Sequence, residues 1–337
     1  MIGGNDGMKD HLLLIGKNVI RMFLLLFFVS AAAFVLVSVS PIDPLQANVG
    51  QAALGSMSQE QIEKLQAYWG VGVPPAERFF RWASDFFRGD MGVSLLYRQP
   101  VSKVIHIKLA NSLWLMTIAW LLSGAAGFVL GALSGLKKGS WLDKLIKGYS
   151  LLIASTPAFW LALMLLMIFA VRLKILPIGL SVPIGLEAGE VTVSDRICHA
   201  VLPAVTLSIT GISNITLHTR EKMIDIMESD YVLFAKARGE SSRSIVKNHA
   251  LRNVLLPALT LQFASVSEIF GGSVLVEQVF SYPGLGQAAV TAGLGSDVPL
   301  LLGITVISAA FVFGGNLIAN ILYGIIDPRI RKGGARA

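Results

Sequence analysis

The chain has 337 residues, 54% of them hydrophobic and only 15% charged, with a formal net charge of +7. A soluble domain carries about 25% charged residues, so much of this chain's surface must face something other than water, in keeping with a mean hydropathy of +0.66. The single cysteine, Cys198, excludes a disulfide framework within the chain and a multi-cysteine metal site.

The basic residues alternate with long apolar runs, the pattern of a membrane protein with basic loops and not of a nucleic-acid binder. Crossing a hydrocarbon core takes roughly 20 apolar helical residues. Six stretches qualify, at 22–40, 109–136, 149–171, 200–217, 254–279 and 299–326. Each has to be helical, because backbone polar groups in lipid need partners within the segment. The first run is longer than a signal-peptide core and no small-x-small cleavage pattern follows it, so it reads as an uncleaved first helix. Residues 1–10 read as a loose tail within an N-terminal segment, 1–21.

Residues 41–108 form a long loop after the first run. Ser58 and Gln61 make a capping box that opens a short helix over 59–68, and Pro74-Pro75 breaks the chain after it. An amphipathic stretch follows, with Phe79, Trp82, Phe86 and Phe87 on one stripe and Arg78, Arg81 and Asp85 elsewhere. It suits a helix lying on the membrane surface or on the bundle, or a docking surface for an external partner.

Residues 221–253 form a second long loop, polar and strongly basic. Ile224, Met227, Tyr231, Phe234 and Ala235 stand at helical spacing, Gly239 interrupts, and a second helical piece runs over 241–251. Composition alone also allows a basic loop held by anionic lipid headgroups. Residues 327–337 are a basic tail. With both termini inside, 18 of the 28 Lys and Arg fall on inner segments, and the last outer loop, 278–298, has none. The expected topology therefore puts both termini in the cytoplasm.

Ionisable residues inside spans are functional candidates by default. Glu268 lies near the middle of the fifth span, Glu277 near its outer end and His218 near the inner end of the fourth. Glu268 either lines a pathway, taking a peptide amine or a metal complex, or bonds a neighbouring helix. The five histidines include no pair at i, i+4 and lie on both sides of the membrane, so no intrinsic metal site emerges. No paired Asp, Ser with His, or His-Glu-x-x-His lies in the spans, and the inner segments are too short for a signalling domain. An intramembrane protease and a sensory receptor therefore both fit poorly.

The second loop carries a resemblance. Asp230-Tyr231-Val232, then Ala235-Lys236-Ala237-Arg238-Gly239, then His249-Ala250-Leu251-Arg252-Asn253 and Leu255-Leu256-Pro257 resemble the "EAA" loop of bacterial ATP-binding-cassette (ABC) importer permeases. The spacing from Gly239 to Pro257 is that of the dipeptide, oligopeptide and nickel branch, first-permease type, and Leu233-Phe234-Ala235 stands where the general motif has Glu-Ala-Ala. Further likenesses are Met57-Ser58-Gln59-Glu60-Gln61-Ile62, Trp69-Gly70-Val71, and Arg88-Gly89-Asp90-Met91-Gly92 with Ser94. Ser155-Thr156-Pro157-Ala158-Phe159-Trp160, then Gly271-Gly272-Ser273-Val274-Leu275-Val276-Glu277 with Tyr282-Pro283-Gly284-Leu285-Gly286, and Asp327-Pro328-Arg329 complete the series. Gly72-Val73 departs from the family pattern, which usually has Asp there.

The resemblance implies an all-α, six-span type I importer permease in the bacterial inner membrane, its core at 109–326. It implies import of peptides, or of nickel or a nickel chelate. Implied partners are a second related permease, two ATPase subunits, an external solute-binding protein and membrane lipid, with no nucleic acid. The loop, through Asp230, Tyr231, Ala235, Lys236, Ala237, Arg238, Gly239, His249, Arg252 and Pro257, would sit in a cleft of the ATPase. Gly239 would supply a turn and Pro257 would open the fifth span. Glu268, with Gly271 and Gly272, is the candidate pathway. The chain has no G-x-x-x-x-G-K-[ST] phosphate loop, so it is expected to be no enzyme and to hold no cofactor, with ATP and Mg bound by the partners. A gradient-driven carrier, or another small solute or metal chelate as cargo, remains the alternative.

Overall fold

The computed structural model describes residues 4–39, 49, 51–69, 72–183, 185 and 190–326. Among them the chain is helical, and its β contact is one isolated bridge between Val93 and Pro100. It divides into two compact units. One takes the residues up to Leu109 with Ala288–Phe313, and the other takes Ala110–Gln287 with the residues from Gly314 on. The tail at 327–337, the Asp327-Pro328-Arg329 motif and Gly70-Val71 lie outside the described residues.

The first unit opens on α1, Gly4–Val39. The expected loose tail is thus helical from Gly4. No proline interrupts 4–39, and once the apolar stretch Ile20–Leu36 has nucleated a helix, each further residue adds a hydrogen bond at little cost. After α2, Gln51–Gly55, comes α3, Gln59–Trp69, with the capping box in place. Ser58 N donates to Gln61 Oε1 at 3.0 Å and Gln61 N donates to Ser58 Oγ at 3.3 Å. α4, Pro75–Phe87, starts on a proline, whose missing N–H costs nothing at a helix start.

The α4 stripe differs from expectation at one residue. Phe79 is buried, its ring 5.5 Å from that of Phe34 on α1, with Trp82 beside it and Phe86 5.4 Å from Trp82. Phe87 is 77% exposed, because one residue past Phe86 turns the side chain roughly 100° around the helix. Phe34, Phe79 and Leu302 form the core of this unit.

The Gly89-to-Ser94 motif is a built turn. Gly89 and Gly92 have positive φ, and Asp90 Oδ1 accepts from Gly92 N at 2.8 Å. Ser94 Oγ donates to the buried Asp297 at 2.6 Å. Asp297 also accepts from Leu96 N at 3.1 Å and, on the first turn of the last helix, from Leu300 N at 3.2 Å. One carboxylate therefore caps a helix and fixes the turn.

α5, Val101–Leu136, runs on into the second unit. There Gly127, Gly131 and Gly135 form a stripe at i, i+4. A Cβ on Gly127 would lie 2.8 Å from Ile215 Cβ, on Gly131 2.6 Å from the Thr216 carbonyl oxygen, and on Gly135 2.6 Å from Met223 Cβ. All three neighbours belong to α8, Val193–Met227, so two long helices touch nearly backbone to backbone. In a membrane, where apolar burial does not drive helices together, such small-residue contacts do.

Between them lie α6, Trp141–Ala154, and α7, Ala158–Leu165, the latter widening to π-helix over Leu166–Arg172. The expected straight span 149–171 is bent by 106° at Ser155-Thr156-Pro157. Pro157 disfavours helical backbone in the residue before it and donates no hydrogen bond to the preceding turn.

After α8 come α9, Asp230–Ala237, and α10, Ser242–Ile245, which passes through a π-turn, Val246–Ala250, into α11, Leu251–Ala264. α12, Val266–Val279, follows at a 48° bend. Pro257 is not at a helix start: it lies inside α11. Helix already runs in from Ser242, and the proline's fixed φ suits it. α13, Leu285–Leu294, and α14, Val298–Ile326, complete the chain. By length and composition α5, α8 and α14 are able to cross a membrane unbroken, and each bent pair adds one span if counted as such.

Candidate functional site

The loop 228–250 packs one face on the end of α8 and carries an exposed apolar tip. Glu228 caps the end of α8 and Ser229 opens α9. This break resets the helical register, so Tyr231 and Phe234 do not continue the Ile224–Met227 face. Val232, Ala235 and Ile245 are buried instead, packed on Ile226 and Met227 at the end of α8. Leu233 and Phe234 point away, 67% and 65% exposed, with Tyr231 exposed beside them. The helical spacing groups Phe234 with Ile224 and Met227 and passes over Leu233, because the exposure of both depends on a break that the periodicity does not show.

α9 ends in a Schellman motif. Gly239 N donates to the Lys236 carbonyl and Glu240 N to the Ala235 carbonyl, at 3.0 and 3.1 Å. That geometry needs the left-handed backbone of Gly239, φ +82°. A Cβ there would meet nothing within 4 Å, so backbone strain alone favours glycine. Glu240 reaches back to His249 Nε2 at 3.2 Å. The His249 ring lies 6.5 Å from that of Tyr231, and Asn253 Nδ2 donates to the His249 carbonyl at 2.8 Å. The structure thus brings Tyr231, Ala235, Gly239 and His249 together. Asp230, Lys236, Ala237, Arg238 and Arg252 are exposed, and among the described residues the four charged ones make no ion pair.

The end of α8 is tied down by a pair that the positive-inside reading of Arg220 does not reveal. Arg220, in the last part of α8, binds Asp143 in the first turn of α6. Nε lies 2.6 Å from Oδ1 and Nη2 2.9 Å from Oδ2, and Ser134 Oγ and Gly139 N also donate to the carboxylate. Lys138 pairs with Glu228 at the end of the same helix. One turn beyond Arg220, Met223 joins Ala132, Ala250 and Val254 in a core that carries the far end of the loop.

On α12, Glu268, Gly271 and Leu275 share one exposed face at helical spacing, and beside it Ser267 Oγ donates to Asn316 Oδ1 on α14 at 2.9 Å. Gly272 turns the other way, and a Cβ there would sit 3.3 Å from Leu207 of α8. Glu277 is no pathway group: it is fully buried. It accepts from Ser112 Oγ at 2.6 Å and Gln287 N at 3.0 Å, while Ser112 Oγ accepts from Leu285 N. Gly284 and Gly286 let the chain wrap around this carboxylate, since a Cβ on Gly284 would lie 2.2 Å from Glu277 Cδ.

The sequence supplies the family. Residues 127–332 match the family described as binding-protein-dependent transport system inner membrane component. The chain belongs to that family. It is therefore a multi-pass inner-membrane permease of ABC importers, a kind of subunit that works with ATPase and substrate-binding partners and is not itself the ATPase. The permease is 34% identical over 309 residues to the oligopeptide transport system permease protein AppB of Bacillus subtilis (strain 168), covering 91% of this chain and 95% of that one. It is 32% identical over 323 residues to a putative peptide transport system permease protein of Brucella abortus (strain 2308), covering 94% and 98%. A probable D,D-dipeptide transport system permease protein, DdpB of Escherichia coli (strain K12), is 32% identical over 323 residues, covering 91% and 94%. The likeness first drawn from the loop motifs is borne out.

Proposed function

We propose that this permease imports peptides, driven by ATP hydrolysis on separate subunits that act on it through α9. The observation that carries the reading is the placement of Leu233 and Phe234, two large exposed apolar side chains on a short helix whose other face is locked into a core by Val232, Ala235 and Ile245. A tip of that kind suits a pocket in a partner, and its packed face passes displacement to α8 and α11. Lys236, Arg238 and Arg252 around it suit acidic groups on that partner. The names of the relatives above support peptides as cargo, and none of them names nickel.

In this reading a second, related permease completes the pathway, two ATPase subunits bind the nucleotide and its Mg, and an external binding protein delivers the peptide. The Lys and Arg distribution supports six spans, the bent pairs counted as one each, with both termini in the cytoplasm. Glu268 faces the pathway, since a carboxylate on an exposed mid-span face needs water, a cation or a protein partner. The test is uptake of a labelled dipeptide by cells carrying this permease with its neighbouring subunits. Uptake is expected to stop with vanadate and with Arg238→Glu. Uptake that survives vanadate but collapses with a protonophore would favour a gradient-driven carrier.

A further inference from the structure

A cavity of about 240 Å³ opens in the first unit, lined by Phe34, Arg78, Trp82, Asp85, Asp90 and Pro299. Its depth in the bilayer follows from α1. The first apolar run, 22–40, is about 28 Å long at 1.5 Å per residue, close to a hydrocarbon core, and Phe34 lies in its second half, before the long loop 41–108. The cavity therefore lies about 9 Å from the loop end of that run, near the boundary where hydrocarbon gives way to headgroups. Phe80 and Phe87, exposed on α4 beside it, are the side chains of a helix resting in that boundary.

The charges at the cavity are unevenly matched. Arg81 is paired with Glu77 at 2.8 Å, and Arg88 lies 3.8 Å from Asp85. Arg78 pairs with no carboxylate among the described residues, and its guanidinium sits 5.8 Å over the Phe34 ring. Burial draws its pKa down, yet an arginine stays charged. A half-buried cation without an anion is unfavourable, and phosphate matches the guanidinium fork better than any other common anion of a membrane surface. Asp85 and Asp90 on the same wall suit a second, cationic group, for Asp90 spends one oxygen on Gly92 N and keeps the other.

We propose that this cavity binds the headgroup of a zwitterionic phospholipid of the phosphoethanolamine kind, phosphate on Arg78 and ammonium toward Asp85 and Asp90, with the acyl chains lying along α1 and Phe80. This rests on the permease being embedded in a bilayer, as its family is, and not on the role of the loop or the identity of the cargo.

The assembled importer, stripped of loose lipid in detergent, would be offered phosphatidylethanolamine, phosphatidylglycerol or phosphatidylcholine, and the retained lipid counted by native mass spectrometry. Phosphatidylethanolamine is expected to be retained best. Arg78→Gln should lower its retention about tenfold, the loss of one charge-assisted contact, while Arg78→Lys keeps most of it. Asp85→Asn should narrow the preference over phosphatidylglycerol. Soluble phosphoethanolamine should displace the lipid only at high concentration, the acyl chains adding affinity. Equal retention by wild type and Arg78→Gln, equal loss in Arg78→Gln and Arg78→Lys, or displacement by a dipeptide would each overturn the proposal. Peptide uptake is read separately, so its failure bears on the transport reading alone.

Discussion

Arg220 grips Asp143 through two parallel contacts, 2.6 and 2.9 Å long, with side chains only 10% and 5% exposed. This pair holds α8 to α6 immediately before α8 delivers Met223, Ile226 and Met227 to the base of the loop. Taking both charges out of water is costly, and their attraction offsets that cost only while both are present. Asp143→Ala should therefore destabilise the permease by about 3 kcal/mol, because it removes both buried contacts of the guanidinium and leaves it only the exposed Glu221, 2.9 Å from Nη1. The double variant Asp143→Leu with Arg220→Met should recover most of that loss. Thermal unfolding of the purified complex reads both, and a single variant as stable as the wild type would contradict the account.

The glycine stripe on α5 gives a prediction with an internal control. At Gly131 even alanine would place Cβ 2.6 Å from a backbone oxygen of α8, which has no side chain to swing aside. Gly131→Ala should cost about 1–3 kcal/mol, the range for overpacked cores, and lower the yield of assembled permease. Gly148, in α6, has nothing within 4 Å of its Cβ position, so Gly148→Ala should be neutral or raise stability by about 0.5–1 kcal/mol.

Much of this was legible in the sequence, for identifiable reasons. Four of the six apolar stretches fall on unbroken helix where the structure describes them, and 149–171 and 254–279 fall on bent helix pairs, because apolar length shows where helix forms and not where it breaks. The Ser58–Gln61 cap and the Gly239 turn were legible because each rests on local backbone chemistry. The bend at Pro157 was readable in principle, yet a hydropathy window treats proline as one more residue. Arg220 was hidden by the rule that located it: inside positive charge is common, and only a distant Asp143 turns this one into a buried tie. The burial of Glu277 is hidden likewise, since its partner Ser112 is far off along the chain. Tyr231 and Phe234 fell on the wrong face because the two-residue break at Glu228-Ser229 shifts the helical phase.

The Glu277 centre predicts how the Tyr282-to-Gly286 turn fails. Glu277→Ala strands the buried Ser112 hydroxyl, and a buried group left unsatisfied costs about 1–3 kcal/mol. Gly284→Ala forces the carboxylate out by steric contact and should give a loss of similar size. Limited proteolysis should show faster cleavage near 280–287 in both variants, and an unchanged cleavage pattern would count against this carboxylate as the anchor.

Gly239 separates folding from coupling. Alanine there meets no atom, so the fold should lose only the left-handed backbone penalty, roughly 1–2 kcal/mol. A larger residue such as Val or Phe should cost the isolated permease little more. If uptake falls much further with Phe than with Ala at equal expression, the added bulk is meeting a partner. Equal uptake in the two variants would show that nothing docks against this turn.

In the proposed cycle the exposed tip of α9 is where the ATPase acts. The most direct measurement is Phe234→Asp, made together with Leu233→Asp, in the complete importer reconstituted in liposomes. The permease should retain its thermal stability, because both side chains lie outside the Val232–Ala235–Ile245 core. The ATPase subunits should no longer co-purify at the wild-type ratio, and ATP-driven peptide uptake should fall to background. Normal co-purification with normal uptake in the doubly substituted protein would contradict the claim.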